Sequence, residues 1–207
     1  MIEIILLLIF AGALAFYFLL IYLYEYFCNR YQKYHLEYIK KYAVEKGFSL
    51  NFDYFEDVKK KVFFTNFVPK EKYSFIMKKN EILFFQLVSS KTEYTVVQYE
   101  LKKDYADFRL YSRYFINNIA YSMSTNKVKL EKEDYFNSKY FLLSKFESEV
   151  KTVFTKDKIN VLSNLSNNFV NVELIDNCLF IYKISLSKEK LDTFYQDALN
   201  IINVFDK

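Results

Sequence analysis

The run Ile4–Tyr24, IILLLIFAGALAFYFLLIYLY, contains 21 residues and no charge. A helix of that length, rising 1.5 Å per residue, extends about 31 Å and matches a hydrocarbon core of about 30 Å. The expectation is an N-terminal transmembrane helix, with residues 1–24 as the anchor. A cleavable leader is the rival reading, because AGALA carries the small-x-small spacing of a processing site. Against it, no basic residue precedes the run, and apolar and aromatic residues continue unbroken from Phe16 to Tyr24. Flanking charge sets the orientation. Only Glu3 and the amino terminus lie before the run, whereas Arg30, Lys33, Lys40 and Lys41 follow it. The positive-inside rule then places the C-terminal side in the cytoplasm of a bacterial inner membrane, or in the matrix of an organelle.

Tyrosine recurs after the run at helical spacing. Tyr22, Tyr24 and Tyr26 fall where an interfacial belt is expected, with Arg30 and Lys33 as membrane-interface cations. On a helical wheel Phe27, Tyr31, Tyr34, Tyr38 and Tyr42 make one packing stripe, with Cys28, His35 and Ile39 beside it. Arg30, Lys33, Glu37, Lys40 and Lys41 are assigned to the opposite face, with Lys33–Glu37 and Glu37–Lys41 as i,i+4 pairs. Residues 25–46 therefore read as a juxtamembrane amphipathic helix continuing the anchor, closed by Gly47 as its C-cap. The stripe needs a cover, either the protein's own domain or a second helix meeting it at 4-3-4 spacing.

From residue 47 to 207 the pattern predicts a soluble α+β domain. KYSFIMKKNEILFFQLV reads as two strands around Lys79-Asn80, and FSLNFDYF (48–55) and EYTVVQYEL as further strands. ADFRLYSRYFI fits either a strand or a helix. SKYFLLSK reads as a strand; Ser144-Lys145-Phe146-Glu147 then has capping-box form and opens a helix through Val150, Val153 and Phe154. Ile159, Leu162 and Leu165 continue helical spacing. FVNVELIDNCLFIYKI reads as a hairpin turning at Asp176-Asn177, and Ser187 as the cap of a last helix with Leu191, Tyr195, Ala198, Ile202 and Phe205 on its apolar stripe. The fold class expected is thus a mostly antiparallel sheet with two or three helices on one face, preceded by the transmembrane and juxtamembrane helix.

Within this tail, DYFNSKYFLLSKFESEVKTVFTKDKINVLSNL followed by VNVELIDNCLFIYK resembles the closing segment of a loose group of uncharacterised bacterial membrane-anchored proteins. Phe136, Tyr140, Glu149, Phe154, Glu173, Ile181 and Tyr182 stand at the pattern's positions. The resemblance covers about a third of the chain and lacks the turn glycines and prolines of that group. It implies a bacterial envelope protein and no particular activity.

Composition excludes several chemistries. With Gly12 and Gly47 as the only glycines, neither GxxxxGK[ST] nor GxGxxG can occur. His35 is the single histidine, and Cys28 and Cys178 are far apart, so zinc sites of the usual ligand types and a disulfide framework are not expected. Net charge is +4, and three of the 29 basic residues are arginine, which argues against nucleic acid as a partner. The acid clusters Asp53, Glu56, Asp57 and Glu131, Glu133, Asp134 read as solvated surface. No catalytic, cofactor-binding or metal-binding residue is assigned, and no cofactor is expected. The functional expectation is a non-enzymatic interaction or scaffolding protein, with the lipid bilayer and another protein at the membrane as partners. Two alternatives stay open: an accessory subunit of a larger bacterial or organellar membrane complex, and an enzyme built on carboxylates and tyrosines without a recognisable motif.

Overall fold

The computed structural model describes residues 2–51, 57–58, 73–88, 93–113, 124–166, 170–184, 186–187 and 190–207; side chains at 2–9, 11, 28, 29, 31, 32 and 73 are outside that description. The chain divides into two compact units, residues 1–46 and 47–207.

The first unit is one helix, α1 (Ile2–Lys46). Its 45 residues contain no proline and a single glycine, Gly12, so nothing interrupts the backbone ladder. Gly47 follows at φ +72°, the left-handed geometry that ends a helix and that a side chain would strain. Among the described residues no helix is long and apolar enough to cross a membrane. The side chains of residues 4–9 and 11, within the uncharged run, lie outside the described ones.

The second unit is α+β. Among the described residues nine strands form one antiparallel sheet: β1 (Ser49–Leu50), β2 (Tyr73–Lys79), β3 (Ile82–Val88), β4 (Glu93–Glu100), β5 (Phe108–Ser112), β6 (Lys127–Val128), β7 (Tyr140–Leu143), β8 (Asn171–Ile175) and β9 (Cys178–Ile184). Their order is β1-β2-β3-β4-β9-β8-β5-β7-β6. Two hairpins set the register where asparagine and aspartate supply positive φ. Asp176 (48°) and Asn177 (61°) turn β8 into β9, pairing Ile175 with Cys178. Asn80 (54°) begins the β2–β3 turn, pairing Lys79 with Ile82, so that turn is Asn80-Glu81, one residue later than the sequence pattern placed it. The segment open to both readings is a strand over Phe108–Ser112; of the helical face Phe108, Tyr111, Phe115 and Ile119, the last two lie outside the described residues, as does Phe52 of the first strand pattern.

Four described helices cover one face of the sheet: α2 (Asp134–Lys139), α3 (Glu147–Val153), α4 (Lys156–Ser163) and α5 (Leu191–Phe205). Phe84 of β3 stacks on Tyr195 of α5 at 5.8 Å and 11° between ring planes, and also meets Phe48, Phe75 and Phe194. A second aromatic group joins α2 and the end of α3 to α5 and β5. Phe154, the residue closing α3, contacts Phe108, Phe136 and Phe205 at 5.0–6.2 Å. The opposite face also carries a buried apolar cluster, with Val58, Ile76, Leu83, Phe85, Leu87, Val96, Phe180 and Tyr182 together. Both faces are therefore buried, and β3 reads ILFFQLV as a near-continuous apolar run rather than an alternating one.

Two helix starts differ from their sequence signatures. Ser144 does not cap α3: its hydroxyl donates to the Asp107 carbonyl (2.6 Å) and accepts from the Phe146 N–H (3.0 Å), while Phe146 occupies the cap position without a side-chain bond. α5 opens behind Lys190, again without a side-chain cap, and the Ser187 carbonyl accepts the Lys190 N–H. SKYFLLSK also divides, its Ser138-Lys139 ending α2 before β7 begins at Tyr140. Lys132, exposed and at φ 62°, is a lysine where glycine would relax the backbone. Lys132→Gly should raise the free energy of urea unfolding by about 0.5 kcal/mol, the left-handed strain relieved less the added chain entropy of glycine. An unchanged or lower midpoint would show that Lys132 carries no such strain.

Candidate functional site

The register of three neighbouring strands assembles the most unusual polar group of the described fold. Glu173 of β8 stands directly opposite Arg109 of β5, and Tyr111 lies two residues further along β5 on the same face. On the other side, β9 pairs Phe180 with Glu173, so Tyr182 is the diagonal neighbour on that face. The consequence is a buried carboxylate held from both flanks. Tyr182 Oη donates to Glu173 Oε1 at 2.7 Å, and Tyr111 Oη donates to the same oxygen at 3.0 Å. The second oxygen, Oε2, has no hydrogen bond and faces Arg109 Nε at 3.6 Å. Glu173 is fully buried, whereas about half of the Arg109 side chain reaches solvent.

Electrostatics follow from that asymmetry. Burial pushes the Glu173 carboxyl above the ordinary carboxylate range, opposed by the Tyr182 hydroxyl, the Arg109 guanidinium and the Tyr111 hydroxyl. Burial, then the neighbouring Glu173 charge, raises both phenols well above the ordinary tyrosine value. Both tyrosines therefore stay protonated and serve as donors.

Arg109 links this cluster to the surface. It lines a cavity of about 470 Å³ together with Asp107, Ser124, Asn126, Lys145 and Phe146. Asp107 is already engaged, since its Oδ1 accepts the Asp176 N–H at 2.9 Å. A separate polar cluster secures the C-terminus. Asp206 accepts from Tyr99 Oη (2.9 Å) and the Lys102 N–H (3.0 Å), and burial followed by this bond pushes the Tyr99 phenol up to about 12. Lys158 Nζ lies 4.4 Å above the Tyr105 ring and 4.8 Å above that of Phe205, and burial lowers its pKa.

The membrane-interface and packing residues assigned from sequence all lie on α1, whereas Glu173 and Tyr182 were named only as positions of the tail's resemblance. Tyr22, Tyr24, Tyr26, Phe27 and Tyr34 are exposed, as are Arg30 and Lys33. Tyr38 and Tyr42 stack at 6.5 Å, and Lys46 Nζ sits 5.9 Å above the Tyr42 ring. The Tyr31 and Cys28 side chains lie outside the described residues. One assignment is corrected. Arg30 Nη2 donates to Tyr34 Oη at 3.3 Å, with the guanidinium 5.6 Å above that ring, so the basic and aromatic faces adjoin there instead of opposing. Residues four apart share a helix face, and the wheel assignment had separated two that touch. Among the described residues the i,i+4 ion pair on this stretch is Lys41–Glu45 at 3.8 Å. Of the acid clusters, Asp57 pairs with Lys78 at 2.6 Å, and Asp53 and Glu56 are outside the described residues. Among the described residues no group of three or more metal-ligating side chains converges.

Sequence reasoning missed Glu173 as a site residue. Its signal was available: one acid inside the apolar hairpin strand NVELI, on the face it shares with Asn171 and Ile175. Tyr182 lies nine residues on, in the same hairpin, but the other two partners were not legible, because Arg109 and Tyr111 lie more than sixty residues away and reach it only through strand pairing. Comparison with protein-family models, with curated proteins and with solved structures finds no match for this chain.

Proposed function

We propose that this protein is a single-pass, membrane-anchored interaction or scaffolding protein whose α+β domain faces the cytoplasm. The observation that carries this reading is the surface of α1. Phe10, Phe16, Tyr17, Phe18, Leu19, Leu20, Tyr22 and Tyr24 are all at least about half exposed, on a helix that continues unbroken to Lys46. A contiguous apolar belt of that size is expected to be covered, and lipid covers every side of a helix at once. The uncharged run Ile4–Tyr24 supplies the length, and the later cations Arg30, Lys33, Lys40 and Lys41 supply the orientation. The resemblance of the tail to bacterial envelope proteins agrees with this placement and rests on the residues quoted for it.

Within the domain, the described large apolar side chains that are exposed are Tyr135 and Phe146, and the terminal strands β1 and β6 have two residues each. So few exposed large apolar side chains among the described residues, together with short edge strands, favour a self-contained domain over a subunit shaped by permanent neighbours. Full burial of Glu173 favours a structural role for it over acid–base chemistry, because a reacting group must touch its substrate.

The test is topological. Single cysteines placed at Lys102 and Lys156 of a Cys28→Ser variant, both exposed positions, should resist a membrane-impermeant thiol reagent in intact cells and react after permeabilisation. The chain should also stay with the membrane fraction in alkaline carbonate. Labelling from outside would overturn the orientation, and release by carbonate would overturn the anchor.

A further inference from the structure

We propose that the cavity beside Arg109 binds a small organic anion. Its oxyanion head would lie on the Arg109 guanidinium and its apolar body against Phe146. This inference concerns the domain alone and stands whether or not α1 crosses a bilayer.

The volume, about 470 Å³, falls within the range of small-molecule sites. Its polar lining is unequal in charge: Arg109 and Lys145 contribute two cations, and Asp107 is the one carboxylate, already accepting the Asp176 N–H. Arg109 is the best placed of these groups. Its Nε faces the buried Glu173 carboxylate at 3.6 Å, and among the described residues its terminal nitrogens donate no hydrogen bond. A guanidinium held from behind through Nε keeps its outer edge for a planar or tetrahedral oxyanion, the geometry in which arginine forms paired hydrogen bonds.

Glu173 is in turn fixed by Tyr111 and Tyr182, so the carboxylate that Arg109 faces is ordered before any ligand arrives. Pre-ordering of this kind lowers the entropy lost on binding. Lys145 is exposed and forms no ion pair among the described residues, and the Ser124 hydroxyl and Asn126 amide add neutral donors. Phe146, half exposed beside them, gives the apolar contact that would distinguish an organic anion from a bare inorganic one.

The head group could belong to a soluble metabolite or to a phospholipid; both present the same oxyanion. The experiment therefore uses full-length protein in a zwitterionic detergent, followed by nuclear magnetic resonance during titration with benzoate, phenyl phosphate and, as a control, benzylamine. The expected result is saturable shifts around Arg109 and Phe146 with either anion and none with the amine. Arg109→Lys keeps a cation beside Glu173 but removes the fork, and should weaken binding at least about tenfold. Lys145→Gln, on an exposed side chain, should weaken it severalfold with an unchanged melting temperature. Repeating the phenyl phosphate titration with added phosphatidylglycerol separates the sources: competition assigns the site to lipid head groups, and undisturbed binding assigns it to soluble anions. Absence of saturation by either anion, equal response to benzylamine, or unchanged affinity in both variants would overturn the proposal.

Discussion

Replacing Glu173 by alanine should destabilise the protein by about 2–5 kcal/mol, because it leaves two buried hydroxyl donors unsatisfied at about 1–3 kcal/mol each. Two donors, the hydroxyls of Tyr111 and Tyr182, would lose their common acceptor inside the sheet face, and Arg109 would lose its counter-charge. For a chain of this size the melting temperature should fall by about 10 °C. Glu173→Gln retains an acceptor at the same place and should lose substantially less.

The two variants also respond differently to pH. Because burial raises the Glu173 pKa in the folded state, the folded protein holds that proton more tightly than the unfolded chain. The resulting stabilisation is complete below the unfolded value near about 4.3 and is lost as pH rises through the folded value. Glutamine does not titrate, so the deficit of Glu173→Gln relative to the native protein should narrow from pH 4 to pH 7. Urea melts at both values measure it. A deficit that widens with pH would mean that the Arg109 ion pair and the two phenols outweigh burial. A Glu173→Ala loss below about 1 kcal/mol would mean that water already reaches the cluster.

Phe84→Ala should have an effect of similar size through a different cause. Phe84 is fully buried between the sheet and α5, in ring contact with Phe48, Phe75, Phe194 and Tyr195. Truncation removes transfer energy and leaves a cavity that four rigid rings cannot close, which costs about 3–5 kcal/mol. Phe84→Leu keeps most of the volume and should cost about 1–2 kcal/mol. Calorimetry of the full-length variants checks both numbers. Near-equal losses for Ala and Leu would show that the ring geometry matters more than the filled volume.

The two losses should also add. The side chains stand on opposite faces of the sheet, so Phe84→Ala and Glu173→Ala share none of the contacts described. Additivity within about 0.5 kcal/mol in the double variant is the expectation for independent sites.

How much of this was legible without coordinates depends on the range of the interaction involved. The α1 helix and its end at Gly47, the Asp176-Asn177 turn and the apolar stripe of α5 were legible because each depends on residues within a few positions of one another. An uninterrupted helix former, a pair of residues that tolerate positive φ, and a 3.6-residue period carry their own physical cause. Local signatures failed where a distant partner took the side chain. Ser144 had the spacing of a cap, but its hydroxyl is taken by the carbonyl of Asp107, the residue before β5, which pairs with the β7 strand that Ser144 follows.

The Glu173 cluster lies at the other extreme. Nothing in VEL says whether its carboxylate meets water, lysine or phenol. Strand order puts β5 on one side of β8 and β9 on the other, and register then selects Arg109, Tyr111 and Tyr182 out of the chain. A slip of one residue in either pairing would turn those side chains to the helix-covered face and leave the acid without its donors. Residue order alone therefore determined the long helix α1 and its end at Gly47, the Asp176-Asn177 hairpin and the apolar stripe of α5. Which side chains share the buried acid was decided only by tertiary pairing, because hydrogen bonds act over a few ångströms and the chain brings those atoms that close only when the sheet is complete.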